Sequence, residues 1–176
     1  LWTRGTEYSD TIRIAASYPS VEGQSRIAQL MEHSDYRKWF TPCVKCSKHV
    51  VLSRDDLHYP EGEPEKAYLE CPECGEHLTD EDRKAMMMAG EWRPTQEFKG
   101  VIGYFGNGMM SPHPTQKGFK NHLHFVANQE ELVERADNPD RARHVLVNTF
   151  DAKPYRPERV EAPEASELLD RIENYQ

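Results

Sequence analysis

The sequence lacks long apolar runs, and its apolar content is low. Hydrophobic residues make up 37% of the 176 residues and charged residues 30%, with a mean hydropathy of -0.85. No stretch approaches the roughly 18 consecutive apolar residues that a membrane-spanning helix needs, and no signal peptide opens the chain. We therefore expect a modest core, long solvated segments, no membrane contact and no secretion. An initiating Met is also missing, so we expect Leu1 to begin a fragment or a processed product.

An excess of positive charge is missing as well. The formal net charge of -8 argues against a freestanding nucleic-acid binder. The charge is uneven, because residues 61–82 hold nine acidic residues against Lys66 alone, whereas residues 1–54 hold eight basic and five acidic residues. Any contact with DNA is therefore predicted to use basic residues before the second cysteine pair. These candidates are Arg37, Lys38, Lys45, Lys48 and Arg54.

The cysteines form two pairs, and no thiol is left over. Cys43 and Cys46 enclose two residues, as do Cys71 and Cys74, and 24 residues separate the pairs. Two such turns place four sulfurs at the corners of a tetrahedron, about 2.3 Å from a zinc ion. We therefore predict a structural Zn²⁺ in a zinc ribbon, with no open position for a substrate. Metal binding would then supply much of the folding free energy, on the order of 10–16 kcal/mol.

Other uses of the metal-ligating residue types stay open. Two disulfides, a rubredoxin-like iron centre and redox catalysis by one pair would use the same cysteine spacing. His49 and His77 each lie three residues after a pair and could replace a cysteine. The spare histidines, including His122 and His124, are expected to be surface or core residues. The methionine run at 86–88 is expected to fill the core and the surface of a helix.

Apolar spacing predicts an α+β fold: a small zinc ribbon of short antiparallel strands, flanked by a strand–helix piece on its N-terminal side and a helical linker on its C-terminal side. Helices are expected at 24–33, between Thr79 and Gly90, and at 116–127, 129–136 and 139–149. Strands are expected at 11–16, 37–41, 49–52 and 66–70, and a further strand enters a loop within 100–108. Residues 151–176 are expected to form a linker that ends in an amphipathic piece with Leu168, Leu169 and Ile172 on one face.

Six segments follow one another in an order that points to one family. They are IAASYPSVEGQSRI at 14–27, DYRKWFTPC at 35–43, GEWRPT at 90–95, GYF at 103–105 running to MSP at 110–112, VNTF at 147–150 and KPY at 153–155. Together they resemble the large terminase subunit of tailed phages, of the lambda gpA type. The resemblance covers residues from about 10 to 156.

This resemblance implies a motor that cuts concatemeric viral DNA and pumps it into a capsid, with an N-terminal ATPase domain and a C-terminal metal-dependent nuclease. The chain would hold the middle of that protein. It would comprise the C-terminal edge of the ATPase domain at 1–36, the zinc ribbon with its following helix at 37–95, a strand and helical connector at 96–150, and a linker toward the nuclease at 151–176. Neither a GxxxxGK[ST] phosphate loop nor a two-metal carboxylate cluster is present. ATP and Mg²⁺ are therefore expected to act only in the complete protein.

The resemblance also assigns a role to Ser17, Tyr18 and Pro19. They match the position of the turn that couples the γ-phosphate state to movement in that family. The family pattern has Thr where this chain has Tyr18, so a bulky phenol replaces a small hydroxyl. An ordinary strand-to-helix turn is the alternative interpretation.

The partners implied by the resemblance are the remainder of the large subunit, with the small terminase subunit, the portal and double-stranded DNA as further candidates, all in the host cytoplasm. The alternative function is a freestanding zinc-ribbon adaptor that docks proteins or binds DNA with no motor attached. A zinc-dependent enzyme is disfavoured, because the protein supplies all four metal ligands.

Overall fold

The computed structural model describes residues 11–111 and 117–157 and shows the α+β fold class that the sequence predicts. Its regular elements, apart from short 3-10 turns, are α1 (Arg26–Glu32), β1 (Arg37–Pro42), β2 (His49–Val50), β3 (Leu57–His58), β4 (Tyr68–Glu70), β5 (His77–Leu78), α2 (Asp80–Met88), β6 (Glu91–Arg93), β7 (Tyr104–Phe105), α3 (His122–Glu134) and α4 (Pro139–Thr149). The predicted strands at 37–41, 49–52 and 66–70 are confirmed with small shifts of their ends, and so is the helix within 24–33.

The strands form two small sheets. In the first, β1 pairs antiparallel with β6 and parallel with β7, and both neighbours contact Lys38 in the register, so they lie on opposite edges of β1. Strand β2 pairs antiparallel with the last residues of β1. The second sheet is antiparallel and has the order β3-β4-β5. Each sheet contains a hairpin whose turn carries one cysteine pair.

Asp35 holds together the residues at the start of β1. Its carboxylate is buried and accepts hydrogen bonds from Arg37 Nε (2.7 Å) and from the backbone N–H of Gly103 (3.0 Å). Its backbone N–H donates to Val101 O, and its carbonyl accepts from Thr95 N–H, both at 3.1 Å. Burial raises the pKa of Asp35, but the hydrogen bonds from Arg37 and Gly103 outweigh it and lower the pKa below its ordinary value. The ionised carboxylate thus fixes where β1 and the segment before β7 meet.

Helix α2 begins after Thr79, as predicted, and the structure shows a reciprocal cap there. The Thr79 hydroxyl accepts from the Asp82 N–H, while the Asp82 carboxylate accepts from the Thr79 N–H, so two free donors of the first turn are satisfied. Helix α2 packs on β1, β4 and β5. Met86 and Met87 enter the core, whereas Met88 is 80% exposed. The expectation that these methionines fill the core and the helix surface is confirmed.

Gly90 follows the end of α2, as predicted, but its role is to permit a close approach. The indole N–H of Trp39 donates to Met87 O (3.2 Å), which brings the ring against the end of the helix. A Cβ at Gly90 would overlap this indole. Trp39 also packs edge to face on Trp92, with ring centroids 5.1 Å apart. Glycine is therefore required at position 90 by the side chain of Trp39, which lies 51 positions earlier in the chain.

Helices α3 and α4 pack on each other, and α3 also contacts β3 of the second sheet. Helix α4 has the bounds that the sequence predicts, with Asn138 as its cap and Pro139 in its first turn. The prediction of separate helices at 116–127 and 129–136 is wrong, because α3 is continuous from His122 to Glu134. Val126 and Val133 are both buried, so one apolar face continues across the expected break. A continuous face stabilises a single helix.

The predicted strand at 11–16 is also wrong. Residues 11–20 contain no helix or strand, and Ile12 and Ile14 are 85% and 87% exposed. A strand needs a neighbour to satisfy its N–H and C=O groups, and no strand of the described residues pairs with this segment. The alternating pattern therefore has no sheet to join here.

The end of the described chain returns to its beginning. Tyr155 forms an isolated parallel bridge with Val21, in which Tyr155 N–H donates to Ser20 O (3.0 Å) and Glu22 N–H donates to Tyr155 O (2.9 Å). The Tyr155 ring stacks on His144 of α4, with centroids 4.6 Å apart. The bridge between Val21 and Tyr155 therefore lies beside α4.

Two further predictions from the sequence concern the C-terminal amphipathic piece and the lack of membrane-spanning helices. The amphipathic piece with Leu168, Leu169 and Ile172 lies outside the described residues. Within the described residues, every helix is too short or too polar to cross a bilayer.

Arg54 connects the segment before β3 to the helices. Its guanidinium donates to both oxygens of Asp151, through Nε (2.9 Å) and Nη2 (2.6 Å), and to Glu130 of α3 through Nη1 (2.6 Å). The Arg54 side chain is 19% exposed. The hydrogen bond with Asp151 raises the pKa of Arg54 further above its ordinary value, so the cation is permanent. Next to it, Lys153 pairs with Asp55 at the surface (3.0 Å).

The first prediction compares these two neighbouring ion pairs. Arg54→Met leaves two carboxylates without their cation, and we expect it to lower the free energy of unfolding by about 1–3 kcal/mol, somewhat less than for a fully buried pair. Lys153→Met removes the exposed pair and should cost about 0–1 kcal/mol. Urea unfolding followed by circular dichroism measures both. Equal losses in the two variants would show that the Arg54 pairs contribute no more than a surface contact.

Candidate metal centre

Both cysteine pairs lie in turns with the same backbone pattern. In the first, Cys43 N–H donates to Lys48 O (2.8 Å) and Ser47 N–H donates to Cys43 O (2.8 Å). In the second, Cys71 N–H donates to Glu76 O (3.0 Å) and Gly75 N–H donates to Cys71 O (2.9 Å). The residue four positions after the first cysteine has a positive φ in each turn, 62° at Ser47 and 70° at Gly75. Two hairpins thus present their sulfurs in equivalent ways.

The four thiols converge on one point between the two sheets. The Sγ atoms of Cys43, Cys46, Cys71 and Cys74 all lie within 4.8 Å of one another. A tetrahedral site with metal–sulfur bonds of about 2.3 Å has sulfur–sulfur edges of about 3.8 Å. The donor set therefore fits a divalent metal that prefers soft ligands. Cys43 and Cys71 are buried, Cys46 is half-buried and Cys74 is exposed, so the cluster opens to solvent on one side.

The local environment affects the four thiols differently. Burial alone would raise the pKa of Cys43, but the backbone N–H groups of Cys46 and Lys45 outweigh it and the net pKa is lowered. Burial raises the pKa of Cys71. The backbone N–H of Glu76 lowers the pKa of Cys74, yet burial and the hydrogen-bonded thiols of Cys71 and Cys46 together raise it to about 12. Four thiolates in one place repel one another, so their joint ionisation needs a bound cation.

Several alternatives for the metal-ligating residues are resolved. None of the four cysteines forms a disulfide. His49 lies 4.0 Å from Glu91, and His77 stacks on Tyr68 with centroids 3.9 Å apart, so neither histidine belongs to the cluster. His122 is buried, its Nε2 lies 3.0 Å from Gly108 O, and burial lowers its pKa. It is a core residue, as expected.

The basic residues predicted to contact DNA do not form one surface. Arg37 and Lys38 are adjacent in β1, so their side chains point to opposite faces of the sheet. Lys45 and Lys48 are exposed on the first turn, at the other end of β1. The guanidinium of Arg54 pairs with two carboxylates, and its contact with DNA stays a prediction.

Two of the other basic residues predicted to contact DNA already have partners within the protein. Arg37 pairs with Asp35 and lies over the Tyr104 ring, 5.6 Å from its centroid. Lys48 Nζ lies 3.0 Å from Glu73 Oε2, which joins the first cysteine turn to the second. That pair is exposed at both ends, so it exchanges readily with water or another anion.

The Ser17, Tyr18 and Pro19 segment lies away from the cysteines, just before α1. The Ser17 hydroxyl donates to Tyr18 O (3.0 Å), and Tyr18 is exposed whereas Pro19 is buried. The next turn is held by Ser25, whose hydroxyl accepts from Ser20 N–H (3.1 Å). The segment leads into α1 as predicted, but the residues described before it, 11–16, form no strand.

Two residues that organise the centre were missed from the sequence. Ser47 occupies the left-handed position that glycine occupies in the other turn, and the equal spacing of Ser47 from Cys43 and of Gly75 from Cys71 was the available signal. Glu73 supplies the carboxylate that neutralises Lys48. No local pattern marks that contact, because the partners are 25 positions apart.

Comparison with protein families gives a match over the first half of the chain. The model described as "Phage terminase large subunit gpA, ATPase domain" matches residues 1–92, which include all four cysteines. Neither the curated proteins nor the solved structures provide a match. The matched region covers more than half of the 176 residues, and it contains the first two of the six segments that resemble this family in sequence and the start of the third, at 90–92. The chain belongs to the family of phage terminase large subunits of the gpA type.

Proposed function

We propose that this chain is the central, zinc-ribbon segment of a terminase large subunit that translocates and cuts viral DNA in the host cytoplasm. The observation that carries this proposal is the four-thiol cluster at 43–74 within the region matched by the family. ATP and Mg²⁺ would be used by the complete protein. The proposed division is an ATPase edge at 1–36, the ribbon and α2 at 37–95, a connector at 96–150 and a linker at 151–176.

Zinc would have a structural role in this segment. A bound Zn²⁺ stabilises four thiolates and cross-links the two hairpins. The chain's own contribution is to aim backbone N–H groups at the sulfurs, for example Lys45 N–H toward Cys43 Sγ at 3.4 Å. It also places the Lys48–Glu73 pair across the two turns. We propose that the ribbon is a rigid spacer whose first turn contacts DNA, while the acidic second turn beside it repels phosphate.

The turn at Ser17, Tyr18 and Pro19 would carry nucleotide-dependent movement to α1. Ser25 caps α1 and also binds the preceding turn, so a displacement of residues 17–19 would reach the helix directly. The rest of the large subunit is the proposed immediate partner of this segment. The small terminase subunit and the portal are the other proposed partners.

The second prediction concerns the metal. The purified chain should contain one zinc per molecule, because four soft sulfur donors lie at tetrahedral spacing. Cys71→Ser should unfold the ribbon rather than only weaken the metal, since both a ligand and the cross-link between hairpins are lost. Elemental analysis and circular dichroism measure these outcomes. Ser47→Gly is the control, because it keeps all four ligands and relieves a positive φ. Iron in the purified chain, or a folded chain with four titratable thiols and no metal, would contradict the proposal.

The third prediction tests DNA binding. The isolated chain should bind duplex DNA weakly at low salt, and Lys45→Glu with Lys48→Glu should abolish this binding. If these two lysines neutralise two phosphates, a fourfold increase in salt should weaken binding by about tenfold. Fluorescence anisotropy with labelled DNA measures both effects. Lys66→Glu with Lys99→Glu is the control, because it changes the net charge equally and should have little effect.

Two results would count against DNA contact by the first turn. One is the absence of any binding at low salt, and the other is binding that the Lys45 and Lys48 changes leave intact. Either result would favour a protein-docking or spacer role for the ribbon within the motor.

The fourth prediction concerns catalysis. The chain alone should neither hydrolyse ATP nor nick supercoiled DNA, because it contains neither a GxxxxGK[ST] loop nor a cluster of nuclease carboxylates. Phosphate release and plasmid nicking, both with Mg²⁺, are the measurements. ATP turnover that survives purification and disappears in Ser17→Ala would show that the proposed domain boundaries are misplaced.

A further inference from the structure

An open apolar groove runs between α3 and α4. It has a volume of about 470 Å³, and its apolar walls and single cation come from Leu132, Val133, Ala142, Val145, Leu146 and Arg141. Leu132 and Val145 are 51% and 55% exposed. Two helices that already pack on each other thus leave apolar surface uncovered, which is typical of a docking site.

We propose that residues 164–173 of this same chain bind in the α3/α4 groove. Their sequence, EASELLDRIE, places Leu168, Leu169 and Ile172 at the spacing of one helical face. Such a face suits a groove between two helices, where apolar side chains insert between those already present. The groove's uncovered leucine and valine supply the complementary surface.

The chain leaves its described part beside the groove. Tyr155 stacks on His144, and Val145 of the groove is the next residue along α4. From Pro157 to Leu168 the chain spans 11 residues, which reach at most about 40 Å when extended. Helix α4 is only about 16 Å long. The segment is therefore tethered within reach of every part of the groove, at a high effective concentration.

The charges of groove and segment are complementary. Among the described residues that line the groove, Arg141 is the one with a charged side chain, and it is exposed. Glu164 precedes Leu168 by four residues and Glu173 follows Leu169 by four, so both border the apolar face in sequence. An acidic segment with an apolar stripe thus matches a groove with an apolar floor and a basic rim.

Trypsin provides a test with an internal control. Arg156 precedes Pro157, so cleavage there is blocked, and the accessible bonds beyond it follow Arg159 and Arg171. Arg171 lies inside the proposed segment and Arg159 outside it. A synthetic peptide of residues 150–176 has no groove to bind to, so the ratio of its two cleavage rates is the reference for the undocked segment. In the full chain we expect cleavage after Arg171, relative to Arg159, to be roughly fivefold or more slower than in the peptide, because cleavage follows the undocked population.

Variants of the groove distinguish docking from other causes of protection. Val145→Asp and, separately, Arg141→Glu should restore the peptide's ratio, whereas Arg141→Lys should keep the protection. Val101→Asp is the matched control, since it makes the same change at another exposed valine. Circular dichroism melting establishes that each variant is folded, which is expected because the changed side chains are exposed.

Three results would overturn the proposal. The first is an equal ratio in the full chain and the peptide. The second is protection of Arg171 that Val145→Asp leaves intact. The third is protection that increases with protein concentration together with a dimer in sedimentation velocity, which would identify a second copy of the chain as the occupant of the groove.

Discussion

Strand β1 is hydrogen-bonded along both of its edges, and the residues at its two ends hold distant parts of the chain in place. Asp35 lies before its start and binds the segment that follows β6 and the segment that leads to β7. Cys43 follows its end and belongs to the four-thiol cluster. A six-residue strand thus links the cysteine turns to the residues around 95 and 103. Loss of its pairing would separate the first hairpin from the rest of the protein.

The described residues bury a modest apolar core. Contacts that link the two sheets and the helices are therefore important for the stability of the fold. The cysteine cluster joins the two sheets, and the Arg54 pairs with Glu130 and Asp151 join the segment before β3 to the helices. The two links differ in physical character. The proposed metal–thiolate bonds would depend on the metal supply and on thiol ionisation, whereas the Arg54 cation is permanent. Removal of the metal is therefore expected to affect the hairpins before it affects the packing of α3 and α4.

The surface divides into regions with different partners in the proposed motor. Lys45 and Lys48 project from the first cysteine turn, and Glu73 of the second turn approaches Lys48. A duplex approaching the first turn would compete with Glu73 for that lysine. The groove between α3 and α4 lies elsewhere and is apolar, so its proposed occupant uses packing rather than phosphate neutralisation. The proposed docking of residues 164–173 would place the start of the linker toward the nuclease against the helical connector.

Features that depend on residues a few positions apart could be predicted from the sequence. The two cysteine turns, the start of α2 after Thr79 and the start of α4 at Pro139 all belong to this class, because their hydrogen bonds close within four or five residues. Other features of the fold depend on residues that are far apart in the sequence. Arg54 is a half-buried ion-pair residue because the fold brings Asp151, 97 positions later, beside it, and Gly90 is required by the indole of Trp39. The segment at 11–16 has a strand pattern without a described neighbour to pair with. Local geometry is determined by adjacent residues, whereas burial and pairing are determined by whichever surfaces the folded chain brings together.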